Sequence, residues 1–264
     1  MSSNGRRALR QTFDTAAERY DRVRPLYESD VFDDLAILAD LEPGSRVLEI
    51  GSGTGQATLP LAERGYRIVA IELGDRLAEI ARRKLAAHED VEVVVGPFED
   101  WPLPDEPFDA VVSANAFHWI DPTVRVTKAA AALRSGGSLI VIETWRRPMA
   151  PEGVLVRLRG CHEQWTSEPA PEFRPNQPAD ESEAMPDIEA SGIFDEIAVR
   201  TFISTRDYST DEHHQLLLTF SNVLALDAVR QAGLVGCIDD VIDRDLGGRL
   251  RESSVTRLIV ARKK

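Results

Sequence analysis

The chain has 264 residues, 43% hydrophobic and 28% charged, the proportions of a soluble globular protein with a sizeable core. Asp and Glu number 44 against 31 Lys and Arg, a net charge of −13; such a surface repels phosphate backbones, and Arg6-Arg7 and Arg82-Arg83-Lys84 are too short to override it, so no nucleic-acid partner is expected. No apolar run approaches the ~20 residues of a membrane span, residues 1–10 are polar and unlike a signal peptide, and Cys161 and Cys237 lie far apart without metal-ligand spacing, so a cytoplasmic protein with no membrane partner and no metal site is expected.

Residues 1–10 read as a disordered start. Thr15-Ala16-Ala17-Glu18 has the spacing of a capping box, so a helix is expected to begin there and to stop near Pro25. A second helix over 29–41 carries Val31, Leu35, Leu38 and Ala39 on one face and ends before Pro43-Gly44. Val47, Leu48 and Ile50 form the short apolar run of a strand buried on both faces. Gly51, Gly53 and Gly55 then break the pattern. Glycines on alternate positions let the backbone turn sharply and leave no Cβ between it and a ligand, and the helix over 57–62 points its free N–H groups at the same place. The next β-rich run, 66–72, ends in Glu72, about twenty residues past the loop, where a ribose-binding acid belongs in a nucleoside-binding βαβ unit.

Asp75 is the expected cap of a helix over 76–87, and 91–95 and 110–114 are the third and fourth strands. Asp121-Pro122 opens a further helix, which Gly136-Gly137 closes before a fifth strand over 138–143. The alternation predicts a parallel, right-handed, doubly wound α/β sheet, with Gly51, Glu72, Glu99 and Asn115 at carboxyl ends of strands, where such sheets bind ligands. After Trp145 the composition changes: seven prolines fall from Trp145 through Pro186, around one helix over 152–165, making this segment a candidate substrate cap. A short helix over 187–194 closed by Gly192, a sixth strand over 197–205, a helical region over 210–243 interrupted by Gly233 and Gly236, and a final strand over 255–261 complete the chain.

Leu48-Glu49-Ile50-Gly51-Ser52-Gly53-Thr54-Gly55 resembles motif I of the class I S-adenosylmethionine-dependent methyltransferases. Glu72 falls where that family holds the ribose hydroxyls, Gly96-Pro97-Phe98-Glu99-Asp100 resembles the loop that meets the adenine amine, and Phe108–Trp119 resembles its fourth strand. The Phe117-His118-Trp119 ending and the Tyr20…Arg24-Pro25…Tyr27 segment resemble the small-molecule branch containing trans-aconitate methyltransferase-type enzymes. The likeness covers Tyr20 to Ile142 and is specific for fold and cofactor rather than for substrate. It implies one Rossmann-like domain with a seven-stranded, mostly parallel sheet whose last strand runs antiparallel to the sixth after a hairpin-like connection. Its parts would be a helical lid over the cofactor (1–43), a cofactor-binding core (44–144), a cap insertion (145–186) and the rest of the sheet (187–264). It implies S-adenosyl-L-methionine as cofactor, S-adenosyl-L-homocysteine as product, and contacts from Tyr20, Arg24, Glu49, Gly51, Ser52, Gly53, Thr54, Gln56, Glu72, Leu73, Phe98, Glu99, Asn115 and His118. Arg24 is read either as the partner of the cofactor's carboxylate or as a surface residue beside a proline turn.

Methyl transfer from a sulfonium is a direct displacement, so alignment and water exclusion carry most of the catalysis. A base is optional. His118 is the candidate base, with a packing or cofactor-contacting role as the equal alternative. Tyr27, Trp119, Trp145 and Trp165 are the candidate substrate-pocket residues, Trp145 and Trp165 bracketing the cap. His213 and His214 read as solvent-facing rather than pocket-lining, and Cys161-His162 has no clustered ligands for a metal. The expected function is methyl transfer to a small-molecule acceptor, at oxygen before carbon or nitrogen, by a monomer or weak homodimer. The alternatives are a non-catalytic cofactor- or partner-binding relative and a nicotinamide-dependent oxidoreductase. The last is opposed by Gln56 and Ala57, which put the third glycine at the wrong spacing for a dinucleotide.

Overall fold

Alternating apolar positions on short strands place the core on both sides of one sheet, because successive side chains of a strand point to opposite faces. In β1 (Arg46–Ile50), Val47 packs with Phe32, Leu61 and Ile140 on one face, and Leu48 and Ile50 pack with Val111, Phe117 and Leu139 on the other. The computed structural model describes residues 13–166, 182 and 184–264. Their strands form a seven-stranded sheet in the order β3-β2-β1-β4-β5-β7-β6, with β2 (Arg67–Glu72), β3 (Val91–Val95), β4 (Phe108–Ala114) and β5 (Leu133–Pro148) parallel to β1. Strand β7 (Arg249–Lys263) lies antiparallel between β5 and β6 (Phe194–Ser209). The sequence-predicted fold class is therefore the observed one. The chain leaves β1 toward β2 on one side and returns to β4 on the other, and this reversal opens a crevice at the strands' carboxyl ends.

Several elements differ from the sequence expectation, each for a tertiary reason. Helix α1 (Ala17–Val23) has Ala16, not the expected Thr15, at its N-cap position, with no side-chain cap there. The residues before it are committed elsewhere: Asp14 Oδ1 accepts hydrogen bonds from the backbone N–H groups of Arg76 (2.7 Å) and Leu77 (3.1 Å), so Asp14, not Asp75, caps α4 (Asp75–Lys84) from across the chain. Helix α2 (Ser29–Leu38) packs on the sheet. It buries Val31, Phe32 and Leu35 against the sheet beside α3 (Thr58–Glu63). Helix α5 covers only Arg125–Ala132, and β5 runs from Leu133, past a turn at Gly136, to Pro148, well beyond the predicted 138–143.

The cap helix α6 (Glu152–Trp165) forms where expected; the rest of the proline-rich segment, 167–181, lies outside the described residues, and the next helix, α7, spans Met185–Ser191 with Gly192 as its left-handed cap. The cap's main partner comes from further along. Strands β6 and β7 are joined not by a hairpin but by α8 (Thr210–Leu217), α9 (Ser221–Leu224) and α10 (Ala228–Leu246), whose Leu217, Val223, Leu234 and Ile238 share one apolar cluster with Val154, Leu155 and Leu158 of α6. Gly233 and Gly236 do not interrupt α10. A Cβ at Gly233 would stand 2.5 Å from the Trp165 ring, so the glycine is there to seat an indole. Cys161 and Cys237, distant in sequence, form a disulfide between α6 and α10 with Cα atoms 5.7 Å apart, which removes the cysteine argument for a reducing compartment.

Candidate active site

The loop after β1 turns on Gly51 and Gly53, both in the left-handed region (φ 75° and 58°). At Gly51 nothing larger fits, because a Cβ would come within 2.4 Å of the Ala116 Cβ in the loop after β4. The turn brings Glu72, at the tip of β2, under the loop: its Oε2 accepts from Gly53 N–H (2.8 Å) and its Oε1 from Gly74 N–H (2.9 Å). Burial pushes the Glu72 carboxyl up, while the N–H groups of Gly74, Gly53 and Leu73 oppose the shift. Around it lies an apolar slot lined by Ile50, Ile71, Leu73, Phe98, Trp119 and Ile120, with the backbone of Gly51, Gly53 and Gly96 exposed to it.

On the other side of the loop lies a polar cavity of about 420 Å³, lined by Glu49, Ser52, Gln56 and Tyr27, then by Thr144, Arg146 and the hydroxyls of Ser204, Tyr208, Ser254 and Thr256 on the sheet floor. Glu49 is 1% exposed and its Oε2 has no hydrogen-bond partner among the described residues. Burial raises its carboxyl from 4.5 to about 7, with the Thr58 hydroxyl opposing and Glu72 adding to the rise. A third cavity, also about 420 Å³, opens under the cap between Trp119, Trp145, Leu158, Leu217 and Phe220, with His118, His162 and His213 in its walls. Tyr20 and Asn115 line all three spaces. Asn115 takes the left-handed conformation (φ 51°) that asparagine tolerates. Its side chain is fixed at both ends, Oδ1 accepting from Thr144 N–H (2.7 Å) and Nδ2 donating to the Tyr27 hydroxyl (2.9 Å).

The sequence-derived residues divide by position. Tyr20, Gly51, Gly53, Glu72, Leu73, Phe98 and Asn115 line the apolar slot, and Arg24, Glu49, Ser52, Gln56 and Tyr27 the polar cavity. His118, Trp119 and Trp145 face the cap cavity. Three do not reach these spaces. Thr54 is fully buried and hydrogen-bonds Asp21 (2.7 Å) and Gln56 (2.7 Å), tying α1 to the glycine loop. Glu99 Oε1 accepts from Asp121 N–H (3.2 Å), leaving Gly96, Pro97 and Phe98 as that loop's contribution to the slot. Trp165 is turned away onto Gly233. Arg24 is no surface residue: Nε and Nη2 donate to the Thr219 hydroxyl (2.9 Å) and carbonyl (2.8 Å), and the guanidinium lies between the Tyr20 and Phe220 rings.

Arg146, not among the residues expected from sequence, lines the polar and cap cavities, and His213, expected to face solvent, is buried. His213 is 5% exposed, and its Nε2 stands 3.3 Å from Glu252 Oε1 inside the cap cavity. His214 turns outward to Asp239. The available signal was β5's alternation: continued past Glu143, it puts Thr144 and Arg146 on the floor face.

A family model described as a methyltransferase domain matches residues 48–141, from β1 into β5. An uncharacterized methyltransferase of Geobacillus thermodenitrificans is 34% identical over 164 residues, covering 57% of this chain and 75% of that protein. The chain belongs to the class I S-adenosylmethionine-dependent methyltransferases. An uncharacterized methyltransferase of Mycobacterium bovis is 37% identical over 134 residues, 51% of this chain and 52% of that protein, so the chain spans about half the length of that curated relative. A solved structure described as a putative type II methyltransferase from Anaeromyxobacter dehalogenans matches with a TM-score of 0.61 at 23% identity, covering 90% of this chain and 97% of its own, which speaks for the fold. S-adenosylmethionine is the cofactor of this methyltransferase family. The residues present fit it: an apolar slot with a carboxylate at its edge suits an adenosine, and a buried carboxylate oxygen with no partner among the described residues, beside the loop, suits an ammonium.

Proposed function

We propose that this methyltransferase transfers the methyl group of S-adenosylmethionine to an oxygen of a small-molecule acceptor held between the sheet floor and the cap. The observation that carries the reading is the junction at Tyr20 and Asn115, the residues common to the apolar slot and to both larger cavities. A space of about 420 Å³ falls within the range of small-molecule sites, and its apolar walls suit an acceptor with an apolar body. The cofactor, when bound, supplies an electrophilic methyl group. Everything else falls to the chain. Glu72 takes the ribose hydroxyls, Glu49 the amino group, and Arg24 the carboxylate with the donors not given to Thr219. The cap excludes water and holds the acceptor in line, and alignment of this kind removes several kcal/mol from a bimolecular barrier. His118 takes the proton of a hydroxyl acceptor, and a carboxylate acceptor needs no base. The narrower likeness to trans-aconitate methyltransferase-type enzymes, carried by Phe117-His118-Trp119 and the Tyr20–Tyr27 segment, belongs to this proposal.

Calorimetric titration with S-adenosylmethionine and with NADH tests it. Micromolar binding of the sulfonium alone, about −8 kcal/mol, with a large loss in Glu72→Ala, is the expected result. Preference for NADH, or no binding of either, would remove the reading. Tight binding without methylation of any acceptor would mark a non-catalytic relative.

A further inference from the structure

The floor that the polar and cap cavities share carries more positive charge than the cofactor can use. Arg24 and Arg146 line both cavities. Neither has an ion-pair partner among the described residues, although fourteen arginine– or lysine–carboxylate pairs occur elsewhere among them. Arg146 Nη1 is buried with no hydrogen-bond partner among the described residues. The carboxylate best placed by strand register is Glu252, diagonal to Arg146 across the β5–β7 pair, and it turns one oxygen to His213 instead. The two guanidinium groups are close enough that Arg146 adds to the lowering of the Arg24 pKa that burial begins. A buried guanidinium nitrogen left unpaired beside a second cation is costly, and such a cost persists where a ligand removes it. The cofactor brings one carboxylate, for which Arg24 is the proposed partner. Arg146 is left over.

We propose that Arg146 recognises a carboxylate on the acceptor, so that the substrate class is a small organic acid whose apolar body lies under the cap between Trp119, Trp145, Leu217 and Phe220. The guanidinium fork matches a carboxylate in two parallel hydrogen bonds, which a hydroxyl or amide cannot reproduce. Its neighbours on the floor, Ser204, Tyr208 and Ser254, add donors suited to an anion. This inference rests on the methyltransferase reading of the junction.

The test uses the full chain saturated with S-adenosylhomocysteine, which fills the cofactor's own carboxylate site, and titrates benzoate, 3-phenylpropanoate and octanoate against their primary amides. At least one acid is expected to bind the wild type ten or more times tighter than its amide. Arg146→Gln should abolish that preference while changing S-adenosylhomocysteine affinity less than twofold, and Arg146→Lys should restore part of it. Equal binding of acid and amide, or no binding of any acid, would overturn the proposal. So would a loss of S-adenosylhomocysteine affinity in Arg146→Gln as large as the loss for the acid, since Arg146 would then serve the cofactor. Failure of S-adenosylhomocysteine to bind the wild type refutes the methyltransferase reading itself, and this inference with it.

Discussion

The site's chemistry turns on carboxyl groups whose neighbours were chosen by the fold. Glu49 holds its proton to about pH 7 because it is buried beside Glu72. Its folded pKa is raised, so the folded state keeps a proton that the unfolded chain releases from about 4.5 upward, and stability falls as pH rises between 4.5 and about 7. At about 1.36 kcal/mol per unit the loss is up to about 3 kcal/mol, and Glu49→Gln should flatten the pH dependence of urea unfolding across that window. Cofactor binding should be tighter at pH 8 than at pH 5.5 if the Glu49 carboxylate meets an ammonium, and equal affinity in both buffers would remove Glu49 from the cofactor site. Gly51→Ala tests the loop. An L-residue at φ 75° with its Cβ against Ala116 should cost about 2 kcal/mol or more in denaturant unfolding and abolish S-adenosylhomocysteine binding.

At the level of elements, the cap is a two-part structure, α6 on α8–α10, fastened at two points. One is the indole of Trp165 on Gly233. Gly233→Ala gains up to about 1 kcal/mol of helix propensity and loses more through the clash, so the net effect should be destabilising by about 1–2 kcal/mol. Adding Trp165→Ala should recover part of the loss, and a strictly additive double mutant would disprove the contact. The other is the Cys161–Cys237 bond, which closes a 76-residue separation. By chain entropy such a loop is worth about 4 kcal/mol, so Cys237→Ser, or reduction of the wild type, should lower the thermal midpoint clearly; an unchanged midpoint would show that the cap needs no bond.

For the whole molecule, a cofactor bound only by the folded state adds stability by mass action: S-adenosylhomocysteine at a hundredfold excess over its dissociation constant should contribute about 2.7 kcal/mol and raise the melting midpoint by roughly 5–10 °C in a scanning calorimeter. How much of this could be read from the chain differs by region. Local signals were enough where neighbours in sequence are neighbours in space: the apolar run Val47–Ile50, its glycine turn, Glu72 one βα unit later, and the helix Glu152–Trp165 all formed where pattern and spacing put them. The same βαβ logic gave the fold class. Pattern failed where a residue's partner lies far along the chain. Asp14 caps a helix sixty residues away, Gly233 accommodates Trp165 rather than breaking α10, and α8–α10 join the cap although they follow β6. Glu99 is directed to Asp121 and Arg146 to the shared floor by packing and strand register, not by any local preference. The sequence by itself determined the doubly wound sheet and the glycine turn over Glu72, because hydrophobic period and glycine geometry act within one βαβ unit. Only the tertiary structure decided which charges line the cavities beside the glycine loop and under the cap, because burial and ion pairing depend on segments brought together from opposite ends of the chain.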